Sequence, residues 1–224
     1  SGISPRAVPG TQGGIFWTTS DEHDPRGHIT EGIGNRIQMM QKRMKKIELA
    51  AREVPEEKKY RLFGPAVGQK KSPVLIVGWG STKGAIRDAL DRLDPQHQNY
   101  SFLQLRMMRP FPAEQVARIL QSAAKVISFD CNYSGQIASL IRAETGFSVH
   151  HQVVKFDGRP FSEDEIIVAI EAAVAGESER MIVSEGKVVP PEYGLEQFNA
   201  MLELRSKRPK MTAPMVPLPP GYNK

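Results

Sequence analysis

An α/β fold, with a mainly parallel sheet and helices on both faces, is predicted by three features of this sequence. The first is the run Val74-Leu75-Ile76-Val77-Gly78-Trp79-Gly80-Ser81-Thr82-Lys83-Gly84. Its four consecutive apolar residues mark a strand covered on both faces, as in a parallel sheet. It then breaks at Gly-Trp-Gly and enters a helical pattern. The second feature is repetition, because this strand-then-helix unit recurs along residues 73–177. Successive β-then-α units imply right-handed crossovers and parallel strands. The third is length, since roughly 105 residues suffice for one hydrophobic core.

Residues 1–72 form a lead-in of loop, helix and linker. Residues 1–31 are dense in Gly, Pro, Thr, Asp and His, and Ser4-Pro5, Pro9-Gly10 and Gly13-Gly14 punctuate them as loop. Only Ile15-Phe16-Trp17-Thr18 reads as a short strand. Residues 33–54 carry Ile37, Met40, Met44, Ile47, Ala51 and Val54 at steps of three and four, the pattern of a long amphipathic helix. Arg36, Lys42, Arg43, Lys45 and Lys46 crowd its other sides. The apolar stripe is expected to pack on a domain and the basic face to be solvated. Pro55 ends the helix, and 56–72 reads as a linker.

The repeating units follow. Strand 74–78 leads to helix 82–93, where Ala85, Ile86, Ala89, Leu90 and Leu93 recur at helical spacing. Strand 102–106 leads through Arg109-Pro110-Phe111-Pro112 to helix 113–123. Strand 126–130 leads through Cys131-Asn132-Tyr133 to helix 134–144, closed by Gly146. Strand 152–156 leads through Asp157-Gly158-Arg159-Pro160 to helix 163–175, with Ser162 and Glu165 placed for a capping box. Residues 178–224 read as an irregular arm without a core of its own. A helix is possible over 192–205, before Pro209, Pro214, Pro217, Pro219 and Pro220.

Composition excludes several classes. The 224 residues are 40% hydrophobic and 25% charged, as in ordinary globular domains. The net charge of +5 is scattered, so it describes a basic surface rather than a nucleic-acid face. No apolar run reaches membrane-spanning length. The start, Ser1-Gly2-Ile3-Ser4-Pro5-Arg6, matches neither signal nor transit peptide and has no initiator Met, so the chain is expected to begin inside a longer gene product. The single cysteine, Cys131, is expected to be a packed residue in a cytoplasmic protein. One thiol supplies neither an intrachain disulfide nor a cluster ligand set.

Two strand-to-helix junctions are the candidate sites. At the first, Gly78, Gly80 and Gly84 give G-x-G-x-x-x-G, a variant of a dinucleotide fingerprint. The acid required at the end of the next strand is missing, although Arg106 or Arg109 offers a partner for a 2′-phosphate. A P-loop is excluded by spacing. The plainer reading is close strand–helix packing at the glycines, with Ser81 or Thr82 capping the helix. At the second, Asn132-Tyr133-Ser134-Gly135-Gln136 contacts a ligand or subunit, or Asn132 or Ser134 simply caps the helix. Ligands of open parallel sheets bind beyond the strands' carboxyl ends, where both junctions lie. The candidate contact residues are Trp79, Gly80, Ser81, Thr82, Asn132, Tyr133, Ser134 and Gly135. Asp21-Glu22-His23-Asp24 with His28 and Glu31 fits no metal-ligand spacing. His150-His151 reads as surface. No catalytic residue is identified.

Several segments in order resemble one family: Ser-Gly-Ile-Ser-Pro-Arg-Ala-Val-Pro-Gly at 1–10, Asp-Glu-His-Asp at 21–24, the 74–84 run, Leu-Gln-Leu-Arg-Met-Met-Arg-Pro-Phe-Pro at 103–112, and Asn-Tyr-Ser-Gly-Gln-Ile at 132–137. They resemble the C-terminal part of the α subunit of 2-oxoacid:ferredoxin oxidoreductases, of the 2-oxoglutarate type. The resemblance implies oxidative decarboxylation of a 2-oxoacid with coenzyme A to acyl-CoA, with electrons leaving to ferredoxin. It implies thiamine diphosphate, Mg²⁺ and a [4Fe–4S] cluster in the assembled enzyme, bound mainly outside this chain. It also implies a β subunit and the remainder of the α subunit as partners, with neither nucleic acid nor membrane. Residues 1–31 would end the thiamine pyrimidine-binding domain, and 73–177 would be similar to the transketolase C-terminal domain, helping to hold the subunits together. The family's substrate loop and thiamine-activating glutamate are absent from the sequence, so the isolated chain is expected to be inactive. The alternatives are a non-catalytic α/β interaction module and an NADP-binding protein.

Overall fold

The computed structural model describes residues 2–65, 74–194 and 203. The chain divides into two units, 1–188 and 189–224. In the first, α1 (Ile33–Glu53) is followed by a short α2 (Glu56–Lys59) and β1 (Tyr60–Phe63). The repeating units are β2 (Val74–Trp79), α3 (Thr82–Leu93), β3 (Tyr100–Leu105), α4 (Ala113–Gln121), β4 (Lys125–Asp130), α5 (Gln136–Thr145), β5 (His151–Val154) and α6 (Glu163–Ala175). β6 (Arg180–Ser184) and β7 (Lys187–Val189) come after them. Of the second unit, residues 190–194 turn back on themselves, the Tyr193 N–H donating to the Pro190 carbonyl at 3.0 Å.

One sheet runs in the order β1-β3-β2-β4-β5-β6-β7. β2, β3, β4, β5 and β6 are parallel, and β1 lies antiparallel on the outside of β3. Val77 stands opposite Leu103 on one side and Ser128 on the other. Alternate strand positions face opposite ways, so two cores form. Ile76, Phe102, Phe129 and Val153 pack with Ile86 and Leu90 of α3 and Ile166 and Ile170 of α6. Leu75, Val77, Leu103 and Val126 pack with Val116 and Leu120 of α4 and Ile137 and Ile141 of α5. Each such fully buried side chain contributes about 1.5–3 kcal/mol.

The predicted α/β architecture is therefore present, with helices on both faces. Gly78 lets α3 approach β2, since a Cβ there would lie 2.7 Å from both Ile86 Cδ1 and Thr82 Oγ1. The capping box of α6 forms as expected, with the Glu165 N–H donating to Ser162 Oγ at 3.3 Å and the Ser162 N–H to Glu165 Oε2 at 2.9 Å.

Several expectations fail. Ile15-Phe16-Trp17-Thr18 is not a strand, and Ile15 is fully exposed; the nearby bridge instead joins His23 to Ile29. The segment expected to be a linker contains α2 and β1, because Tyr60 and Leu62 face the α4–α5 core and the strand pairs with β3; residues 66–73 of it lie outside the described residues. The arm after 177 contributes β6, whose Met181 and Val183 are buried in the α3–α6 core. The helix expected over 192–205 lies, beyond 194, outside the described residues apart from Glu203. No residue of α1 is buried: Ile47 of its apolar stripe is half-buried, but Ile37, Met40 and Met44 are exposed, so the stripe is covered less than expected.

Candidate functional site

β2 and β4 are neighbours, yet the helices that follow them, α3 and α5, cover opposite faces. That makes the gap between their carboxyl ends the topological switch point of the sheet, where open α/β folds bind their ligands. The two junctions expected to make contacts meet there.

Asp130, the last residue of β4, joins them. Its Oδ1 accepts from Trp79 Nε1 at 3.0 Å, and its Oδ2 accepts from the Ile137 N–H at the start of α5 at 2.8 Å. Asn132 Oδ1 accepts from the N–H groups of Gly135 and Gln136 at 2.8 and 3.2 Å, which satisfies donors that the helix start leaves free. Gly135 has φ of +65°, and its bare Cα accommodates Gln152 Oε1, 2.8 Å from where a Cβ would sit. At the first junction neither Ser81 nor Thr82 caps α3. Ser81 is exposed and makes no side-chain cap, whereas Thr82 is buried and its hydroxyl donates to the Trp79 carbonyl at 2.9 Å. The turn at Gly80 carries Trp79 out to the rim. Ser134 is exposed.

Next to Asp130, the rim carries aromatic and cationic side chains. Tyr133 is exposed and packs edge-on against Phe156, ring centroids 5.0 Å apart. The Arg180 guanidinium lies 5.4 Å over the Tyr133 ring and donates to the Tyr133 carbonyl. A cleft of about 420 Å³ beside them is lined by Ser81, Cys131, Lys155, Phe156, Gly158, Arg159 and Pro160.

Beneath the cleft is an ion cluster in which Lys155 and Glu165 are buried and Asp157 is exposed. Lys155, 2% exposed, reaches Asp157 Oδ2 at 2.8 Å and Glu165 Oε1 at 2.6 Å. Ser184 Oγ donates to Asp157 at 2.9 Å and the Gly186 N–H to Glu165 at 3.3 Å. Desolvation works against all three charges, but the mutual hydrogen bonds outweigh it. The carboxyls of Asp157 and Glu165 stay below their ordinary range, and the Lys155 ammonium stays above its own.

Sequence reasoning missed Asp130, Lys155, Phe156 and Arg180. Lys155 was the visible signal, a lysine inside the apolar run Val153-Val154-Lys155-Phe156 with Asp157 two residues on. Two other expectations are corrected. Cys131 is exposed rather than packed, and partial desolvation, opposed by a hydrogen bond from the Phe161 backbone, pushes its thiol pKa up. His151 is buried rather than on the surface, with its Nδ1 3.1 Å from the Ser178 carbonyl, whereas His150 is exposed as expected, its Nδ1 accepting from the Val126 N–H at 3.0 Å. In the acidic loop, Glu22 pairs with Arg36 and Arg43, and Asp24 accepts from the N–H groups of Arg26 and His28. Arg106 donates to the Glu57 carbonyl at 2.8 Å, and Arg109 pairs with Glu144 at 3.4 Å.

The rim suits binding. Its lysine is saturated by two carboxylates and its thiol is held in the neutral form, so neither is poised as a nucleophile. Among the described residues no group of three His, Cys, Asp or Glu side chains could hold a metal ion. A single cysteine cannot ligate an iron–sulfur cluster. The described residues therefore do not fit Mg²⁺, and the chain's cysteine count does not fit a cluster. Nor is any helix of the described residues long and apolar enough to cross a membrane.

Fold and rim together define the class: a mainly parallel α/β domain with an aromatic and cationic rim at its switch point. Comparison supplies the family. Pyruvate:ferredoxin oxidoreductase core domain II matches residues 73–166. The chain is 36% identical over 185 residues to 2-oxoacid:ferredoxin oxidoreductase 1, subunit alpha, of Sulfurisphaera tokodaii, covering 83% of this chain and 28% of that protein. It is 37% identical to the corresponding alpha subunit of Saccharolobus solfataricus, with the same coverage of 83% and 28%. Among solved structures it is similar to the 2-oxoglutarate:ferredoxin oxidoreductase from Magnetococcus marinus with 2-oxoglutarate, coenzyme A and succinyl-CoA bound. The TM-score is 0.60 and the identity 26%, covering 77% of this chain and 29% of that one. The chain belongs to the family of 2-oxoacid:ferredoxin oxidoreductase α subunits. It spans 28% of the length of the curated relatives named here.

Proposed function

We propose that this chain is the assembly-supporting part of a 2-oxoacid:ferredoxin oxidoreductase whose substrate is 2-oxoglutarate. In that reaction the 2-oxoacid loses CO₂, its acyl carbon becomes a thioester of coenzyme A, and two electrons pass to ferredoxin. The observation that carries the proposal is the rim at the switch point. It is built from Trp79, Tyr133, Phe156 and Arg180, the residue types that dominate protein interfaces. Asp130 and the Lys155 cluster fix the backbone beneath it, so it meets a partner already ordered. The substrate rests on similarity to the Magnetococcus marinus enzyme and to 2-oxoglutarate oxidoreductase subunit KorA of Mycobacterium tuberculosis, 35% identical over 103 residues.

Within the same proposal the α/β domain extends from β1 to β7, and a cytoplasmic site of action belongs to it. So does a β subunit that supplies thiamine diphosphate, Mg²⁺ and [4Fe–4S] sites. The test is to purify the enzyme assembled with its β subunit and follow 2-oxoglutarate- and CoA-dependent reduction of ferredoxin. The assembled enzyme should turn over and this chain alone should not. Turnover by the isolated chain, or failure to co-purify with a β subunit, would reject the assembly role. Preference for pyruvate would reject the substrate.

A further inference from the structure

We draw no further inference here: the strongest candidate, the cavity of about 430 Å³ between β1, α3 and β3 lined by Phe63, Arg87, Asp91, Asp94, His97 and Tyr100, sets a guanidinium and two carboxylates together against aromatic walls and so singles out no ligand chemistry, and its wall runs through Pro65, after which residues 66–73 lie outside the described ones.

Discussion

The indole of Trp79 and the carboxylate of Asp130 are 51 positions apart in sequence and 3.0 Å apart in space, bonded across the carboxyl ends of adjacent parallel strands. The second oxygen of Asp130 holds the first turn of α5. One buried side chain therefore sets the position of both loops of the rim.

Asp130→Ala leaves the Trp79 N–H and the Ile137 N–H without partners. Losing a charge-assisted bond costs about 1.5–3 kcal/mol, so the urea midpoint should fall. In a Trp17→Phe background, which leaves Trp79 as the only tryptophan, emission should shift to the red. Asp130→Asn keeps one acceptor and should recover part of both effects. An unshifted spectrum in the alanine variant would show that the bond does not position the ring.

Tyr133→Ala and Phe156→Ala remove the paired rings of the rim. Interface aromatics of this kind commonly contribute 2 kcal/mol or more. Either variant should therefore bind the β subunit at least about 30-fold more weakly in a titration, with the far-ultraviolet circular dichroism of the free chain unchanged.

Lys155→Met keeps the length of the side chain and removes its charge. Glu165 is then left without its cation in a buried place, while Asp157 stays in reach of water, and breaking a buried pair costs about 3–5 kcal/mol. Replacing Lys155 and Glu165 together by apolar residues should be milder than the single change, because no buried charge is stranded. A chemical-denaturation cycle reads the difference.

The pH dependence follows from the same cluster. Asp157 and Glu165 have folded pKa values below their ordinary ones. Their contribution is complete above the unfolded values, near 3.8 and 4.5, and disappears as pH falls through the folded values. Lys155 is raised above 10.5, so its contribution is complete below that value and disappears as pH rises through the folded one. Stability measured by urea midpoint should form a plateau between those limits. In Lys155→Met the loss of the alkaline edge is the diagnostic feature.

Ser162→Ala removes the hydroxyl of the α6 capping box and should cost about 1 kcal/mol. Ser162→Asp should retain most of it. Thermal unfolding of the three proteins gives the comparison.

Local signals carried the regular part of the fold. The apolar run at 74–77 located β2, helical spacing located α3, and Ser162 with Glu165 located the start of α6. What escaped depends on distant partners. β1 has only Tyr60 and Leu62 to mark it, and it becomes a strand by pairing with β3 some forty residues later. β6 is short and follows α6 after only the turn at 176–179, so its burial against that helix is what reveals it. In the site, the junctions at 79–82 and 132–135 were legible as strand-to-helix breaks. Their adjacency was not, because strand order is not written in either segment. Asp130 was hidden for the same reason: an acid ending a strand shows its use only once Trp79 stands beside it.

Gly186 and Ser184 reach back to the acids that neutralise Lys155. A shortened polypeptide stopping after the α6 terminator Gly176 would look complete by helix count. It would, however, forfeit a donor to each of those acids, along with the Met181 and Val183 side chains. Expression trials of the isolated sheet should therefore extend past the 184–186 turn, and recombinants trimmed before it should precipitate or resist refolding.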